Sequence, residues 1–445
     1  MSHSPKRRNL IKTLGTGALG LGALSPAYSF NIISSFPLKD RYRVAVIGVN
    51  SRGSQHIQAL AKIPNVEIAY ICDVDSQAMA KGIELALKSG AQKAPRGEKD
   101  FRKVLEDQSL DAVTIAMPDH WHTPAALLAL QAGKHVYIEK PGSHNPAEAE
   151  LLAEATKKYG KVVQMGNQRR SWPRVREAMQ ELHSGTIGKV YYARAWYTNT
   201  RKSIGIGKPA AIPDWLDFEL WQGPAPRKEF MDNLVHYNWH WFWHWGTGEI
   251  VNNGVHFLDL ARWGLQVDHP TQVYSSGGRY HFQDDWETPD TQIASYSFGD
   301  GKSILWEGRS CNARDINGMG SGVSFHGEHG TLELLNNSFK IFDNSNKLVK
   351  SAESTTNTVV NQQGAGFDMD VDHFQNFINA IDHGESLISP YPEIKNSVML
   401  CHLGNISYRS GRALQINSTT GLIENDTEAM RLWGREYQTG WNPKL

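Results

Sequence analysis

The chain has 445 residues, enough for a leader and two domains of ordinary size. Its 46 Lys and Arg balance 46 Asp and Glu, and no basic run lies beyond the N-terminal segment, which excludes a nucleic-acid partner and suits a small, nearly neutral one. Cys72, Cys311 and Cys401 are widely spaced with no CxxC pair, so buried free thiols are expected instead of a disulfide framework.

The first element is a leader over residues 1–30. Lys6-Arg7-Arg8-Asn9-Leu10-Ile11-Lys12 resembles the twin-arginine export motif, with Lys6 in the place usually held by Ser or Thr. The apolar run from Leu14 to Leu24 is about half of the ~20 residues that a membrane span requires, and no later run replaces it. The sequence therefore predicts cleavage near Ala27 or Ser29 and a mature protein without a membrane span. The twin-arginine route implies export to the periplasm in the folded state, with any cofactor loaded beforehand.

Residues 40–165 alternate buried-type strands with amphipathic helices. "RVAVIG", "VEIAYICD", "LDAVTIAMP", "HVYIEKP" and "KVVQMGN" read as strands, and the stretches between them carry apolar residues at helical spacing. Such alternation predicts a parallel sheet covered on both faces. The first strand ends in Gly48-Val49-Asn50-Ser51-Arg52-Gly53, a GxGxxG fingerprint with Asn50 in place of the middle glycine. Gly48 permits the tight turn, Gly53 lets the helix pack closely, and the helix N-terminus faces a pyrophosphate near Ser51 and Arg52. Asp73, at the end of the second strand, is placed to accept hydrogen bonds from the adenosine ribose. A carboxylate there repels a 2′-phosphate, so NAD is expected over NADP. The segments "PDHWHTPAA" and "YIEKPGS" lie at the carboxyl ends of the next strands, where ligands bind in open α/β sheets. They add Pro118, His120, His122, Glu139 and Lys140 to the expected cofactor contacts, and Gln168 follows the last strand.

Residues 166–445 change rhythm. One helix, "PRVREAMQELHSG", precedes the strand-like runs "KVYYARAWYT", "TQVYSSGG", "TQIASYSFG", "KSILWEGRS" and "GTLELLN", which suit an open, mostly antiparallel sheet. A helix is expected from about Gly248 to Trp263, a helical tail after it, and a mobile loop at "SAESTTNTVVNQQGAG". The fold class is thus α/β plus α+β. Within "HYNWHWFWHWG", Trp239, Trp241 and Trp243 offer aromatic faces for a sugar ring or for packing. His236, His240 and His244 recur at helical metal spacing, but the tryptophans' period of two argues against a helix, and no metal is expected.

In place and order, Glu139-Lys140-Pro141, "GNQRRS" at Gly166 to Ser171, "LWQGPAPR" at Leu220 to Arg227 and "GEHGTLEL" at Gly327 to Leu334 resemble the Gfo/Idh/MocA oxidoreductases, from about Arg41 to Leu414. The resemblance implies a Rossmann domain followed by an open-sheet domain, with the substrate against the nicotinamide. It implies Lys140 as the group that holds the substrate oxygen and His256 as the base. Asn252 stands where the family has an aspartate, on the same helix face as His256 at spacing i, i+4. Asparagine can orient an imidazole but cannot stabilise its cation, so His256 is expected to have a low pKa or to need help from His244 or Glu249. Arg169, Arg170 and Trp172 are expected to face the cleft between the domains, with Arg169, Trp172 and His244 as substrate contacts. Three readings follow: a periplasmic dehydrogenase of a sugar or cyclic polyol with tightly held NAD(P), a glycosidase working by transient oxidation and elimination, and a sugar sensor that lost the chemistry. A homodimer or homotetramer is expected from the exposed sheet face.

Overall fold

A computed structural model describes residues 39–353 and 367–445. The twin-arginine leader and most of the loop expected at 351–366 lie outside the described residues.

Strand β1 (Tyr42–Ile47) is buried on both faces, because its Val, Ala and Ile run offers no polar side to water. It alternates with α1 (Arg52–Leu60), β2 (Val66–Cys72), α2 (Ser76–Lys88), β3 (Arg96–Glu98), α3 (Phe101–Leu105), β4 (Ala112–Ile115), α4 (Asp119–Gln131), β5 (His135–Ile138), α5 (Pro146–Tyr159) and β6 (Val163–Met165). The six strands run parallel in the order β3-β2-β1-β4-β5-β6. The order reverses between β1 and β4, which opens a ligand crevice at their carboxyl ends. This is an N-terminal Rossmann domain. Strand β3, with the sequence Arg-Gly-Glu, carries no apolar signal by which its sequence would reveal it.

The second part contains α6 (Pro173–His183), β7 (Val190–Thr198), α7 (Phe218–Gln222), α8 (Glu249–Asn252), α9 (Gly254–Leu265), β8 (Gln272–Gly278), β9 (Thr291–Ser297), β10 (Ser303–Arg309), β11 (Ser321–Gly327), β12 (Gly330–Leu335), β13 (Ser338–Asp343) and β14 (Leu348–Ala352). They are followed by α10 (Phe367–His383), α11 (Tyr391–Ser410), β15 (Leu414–Gln415) and α12 (Thr427–Met430). Its sheet has the order β14-β13-β12-β11-β7-β10-β9-β8-β15 and is antiparallel except where β7 meets β10. Alternation along β9 buries Ala294 and Tyr296 under the helices, while Ile293 on that strand and Tyr274 on β8 stay exposed on the other face. Strands β11, β13 and β14 are hard to read from sequence because glycine, serine and lysine interrupt their apolar runs.

The fold corrects the expectations for one helix and for the cysteines. The helix expected from Gly248 to Trp263 is split at Asn253 (φ −114°), where two asparagines and a glycine, all weak helix formers, adjoin. A Cβ at Gly254 would lie 3.0 Å from the Trp306 ring, so the second helix starts with its backbone directly on that indole. Cys72 and Cys401 are buried free thiols, whereas Cys311 is only half-buried.

Helix α10 returns to the Rossmann sheet, where Phe374, Phe377, Ile378 and Ile381 pack with Tyr42, Val44 and Ile57. Arg170, expected to face the cleft, is instead buried in the core. Its guanidinium gives Asp259 two bonds of 2.8 Å and reaches Glu393 at 3.1 Å. Burial works to raise the Asp259 carboxyl, but Arg170 and its bonds outweigh it and hold that group below its ordinary value. Asp259→Asn leaves this cation without its main partner, and urea unfolding should show a loss of about 3–5 kcal/mol.

The buried histidines add an acid-sensitive component. Burial pushes His122 and His373 each down to about 4 and His402 to about 3, so the folded protein keeps them neutral. The unfolded chain takes up these protons near pH 6.5, about 1.4 kcal/mol per residue per pH unit below that. Stability should therefore be level above pH 7 and fall between pH 6.5 and 4, as urea midpoints across that range would record.

Candidate active site

At the crevice, the chain leaves β1 through Gly48, whose φ is +80°. A Cβ at Gly48 would lie 2.7 Å from the Ala116 carbonyl oxygen, and one at Gly53 would lie 1.8 Å from the Gly48 carbonyl oxygen. Both positions thus require glycine, the first for conformation and the second for contact. Ser51 makes no side-chain cap on α1, which leaves the start of that helix open to an anion. Asp73 accepts from the amides of Val49 at 2.7 Å and Asp75 at 2.9 Å; burial pushes its carboxyl up, and those two amides pull it back. A cavity of about 550 Å³ joins this turn and Asp73 to Pro118, Asp119, His122, Glu139, Lys140, Gln168, Asn252 and His256. Its glycine cradle, open helix start and ribose-side carboxylate fit NAD.

Lys140 stands just beyond β5. Its ammonium donates to the Asn252 backbone oxygen at 2.6 Å and to Asn252 Oδ1 at 2.8 Å. Burial lowers its pKa, against the pull of Glu139 and Asp119. The turn behind it is held by His122, whose Nδ1 accepts from the Gly142 amide at 3.2 Å while Nε2 donates to the Met117 carbonyl at 2.8 Å. Glu139 Oε1 accepts from Arg52 at 2.8 Å, Gln168 at 2.9 Å and His56 at 3.0 Å. Burial would raise Glu139, yet Arg52 and His56 hold it well below the usual carboxylate range. Arg52 also pairs with Asp370 on α10, so this residue of the glycine turn is locked on its protein side.

His256 occupies the first turn of α9, and its buried Nδ1 has no hydrogen-bond partner. Burial, then the charges of Lys140 and Arg169, push its pKa well below the ordinary value. Asn252 gives its side-chain oxygen to Lys140 instead of orienting His256, because the helix break separates the two residues that an unbroken helix would align. Neither expected helper is available. His244 Nε2 meets the Pro226 carbonyl at 2.8 Å, outside the cavity lining, and Glu249 is paired with Arg201 at 2.6 Å.

Other expected contacts are also displaced. His120 lies outside the cavity lining, its Nε2 donating to the Trp221 carbonyl at 2.9 Å and its ring set between Trp221 and Trp245. Arg169 lies over the rings of Phe257 at 4.6 Å and Trp172 at 5.1 Å; neither it nor Trp172 lines the cavity. The cavity is also lined by Tyr197, Arg201, Tyr237, Trp239, His240 and Asn253. Of the three tryptophans singled out, Trp239 lines the cavity, Trp241 stacks on Trp286 at 4.0 Å, and Trp243 lies beneath Arg409. His236, His240 and His244 turn to separate partners, Asp75, the Tyr237 carbonyl and the Pro226 carbonyl. Asp119, inside the "PDHWH" segment, lines the cavity as well, although its histidine neighbours carry the stronger sequence signal.

Residues 42–167 match the model of an oxidoreductase family with an NAD-binding Rossmann fold, and residues 191–355 match that family's C-terminal alpha/beta domain. The chain belongs to the Gfo/Idh/MocA oxidoreductase family. Its cofactor is NAD. A glycosyl hydrolase family 109 protein from Saccharopolyspora erythraea is 27% identical over 252 residues, which are 51% of this chain and 55% of that protein. An alpha-N-acetylgalactosaminidase from Shewanella oneidensis is 26% identical over 218 residues, 44% of this chain and 46% of that one. The chain thus spans about half the length of these curated relatives. A levoglucosan dehydrogenase solved with NADH and levoglucosan shares the fold, with a TM-score of 0.67 at 18% identity, over 84% of this chain and 99% of that one.

The bond from Asn252 to Lys140 gives a direct test of this Gfo/Idh/MocA site. Removing a hydrogen bond to a charged group costs about 1.5–3 kcal/mol, so Asn252→Ala should lower kcat/KM by about 10- to 100-fold with NAD content unchanged. Asn252→Asp places a carboxylate against the ammonium and raises its pKa, so the alkaline limb of the pH–rate profile should move to higher pH.

Proposed function

We propose that this protein is an exported dehydrogenase of a sugar or cyclic polyol that retains its NAD and alternates between two half-reactions. The observation that carries this reading is that Lys140 and His256 line one cavity with the glycine turn and Asp73. Bound NAD supplies a hydride acceptor at the nicotinamide. Lys140 donates to the substrate oxygen and stabilises the charge that grows there as the hydroxyl proton leaves. His256, neutral and with an unpartnered ring nitrogen, is the first acceptor of that proton. Trp239 and Tyr237 offer aromatic faces to the C–H face of a sugar ring.

The twin-arginine-like leader supports retention of the cofactor, since a periplasmic enzyme has no fresh supply. The exposed sheet face bearing Tyr274 and Ile293 supports a homodimer or homotetramer. The engagement of Asn252 with Lys140 counts against a sensor without chemistry, because the residue that suggested one has a place in the site.

Purified protein mixed with pairs of sugars, without added NAD, should turn over with ping-pong kinetics. Strict dependence on external NAD would refute retention. The relatives described as glycosyl hydrolase family 109 and alpha-N-acetylgalactosaminidase favour a second reading, an NAD-dependent glycosidase. Release of a chromogenic aglycone with no net change in NADH absorbance would select it.

A further inference from the structure

The carboxyl ends of β2 and β3, beside Asp73, are covered by a piece of the second domain. Residues 215–217 run against residues 74–76 in a short antiparallel seam. The Ser76 amide donates to the Trp215 carbonyl at 2.9 Å, the Asp217 amide donates to the Val74 carbonyl at 3.0 Å, and Leu216 bridges to Asp75. Two charged contacts reinforce the seam. Lys99, just past β3, meets Asp217 at 2.7 Å, and His236 Nε2 stands 2.9 Å from Asp75 Oδ2 with its ring beside that of Trp215. Farther along, the Trp221 carbonyl accepts from Trp121 Nε1 at 3.0 Å and from His120 Nε2 at 2.9 Å, both on α4.

The covering piece is built as a unit. Leu216, Phe218, Trp221, Phe230, Leu234 and Trp245 form a small apolar core of their own, so the Rossmann sheet meets a preformed wall. Part of that wall faces inward. Leu220, Trp221 and His236 line the cavity together with Asp73, Val74 and Lys99. Asp73 accepts from the Asp75 amide at 2.9 Å, and Asp75 meets His236, so the ribose-side carboxylate and this imidazole are joined through one residue.

We propose that this wall closes the adenosine side of the NAD site, that His236 is a cofactor-binding residue supplied by the second domain, and that the seam limits release of the dinucleotide. The inference rests on the reading that NAD is retained, and it names the residues that retain it. A dinucleotide with its adenosine at Asp73 lies behind the seam. It leaves only when the main-chain bonds and the apolar wall part together, a local opening far rarer than the motion of one side chain, and that opening sets the dissociation rate. Lys99 is more than half exposed, so its ion pair adds little by itself, and the bridge and the wall carry most of the effect.

Asp75 and Asp217 separate the seam from the pocket, because neither lines the cavity. Each also caps a helix, Asp75 on α2 and Asp217 on α7, and asparagine preserves such a cap. The double substitution Asp75→Asn with Asp217→Asn therefore weakens both charged contacts of the seam while sparing the fold and the groups that face the cofactor. Purified holoprotein is incubated with excess isotopically labelled NAD, and the bound dinucleotide is followed by mass spectrometry. The wild type should exchange too slowly to lose its NAD during gel filtration. The double variant should exchange about 3- to 10-fold faster. His236→Ala, which also removes a contact to the cofactor, should exchange about 10- to 100-fold faster. A double variant that exchanges at the wild-type rate would overturn the seam as the element that limits release, and the wild-type rate in His236→Ala would overturn His236 as a cofactor contact; retention itself stands in both cases. A wild type that exchanges within the time of mixing would overturn retention and the seam with it.

Discussion

A buried ammonium needs acceptors, and Lys140 finds two on one residue, the backbone and side-chain oxygens of Asn252. Most of the site can be understood from that need. Strand β5 delivers the lysine to the carboxyl edge of the Rossmann sheet, but the oxygens come from α8 in the second domain, so the ammonium has its final environment only where the two parts meet. The turn behind it is fixed by His122, and Glu139 beside it is fixed by three donors. A positive charge is therefore held at Lys140 while His122 and His256 around it stay neutral.

The same residues show what an asparagine at position 252 supplies. A carboxylate at position 252 would pair fully with the ammonium, tightening it against release of a proton. The amide oxygen satisfies Lys140 without adding a charge, and Asp119, which lines the same cavity, accepts from Thr247. The bonds from Thr247 to Asp119 and from Lys140 to Asn252 tie two neighbouring strand ends of the Rossmann sheet to one segment of the second domain.

Much of this was legible in the sequence. The strand–helix rhythm to Met165 is set by burial on both sheet faces, and Gly48, Gly53 and Asp73 were readable because each answers a steric or charge requirement stated by a short local pattern, whereas Lys140 was readable only through the family resemblance of Glu139-Lys140-Pro141. The second domain was harder. Its sheet joins residues distant in sequence, and β11 and β13 are specified by neighbours more than by their own composition. The site residues that were misplaced, His120, Arg169, Trp172 and His244, share one cause: they lie within or next to functional segments, and only tertiary packing decides whether a side chain turns to the cavity or to the core. Arg170 and Asp259 show this most plainly, since an arginine beside a cleft motif and an aspartate on the helix of His256 prove to be partners in the interior.

One consequence concerns the order of events in the cell. Helix α10 covers the face of β1 and α1, and Asp370 on that helix grips Arg52 of the glycine turn. The nucleotide-binding half of the molecule is thus left unfinished on the ribosome until the chain has grown past residue 370. The face that backs the glycine turn is consequently a property of the completed polypeptide, because the cover for β1 and α1 comes from its C-terminal part.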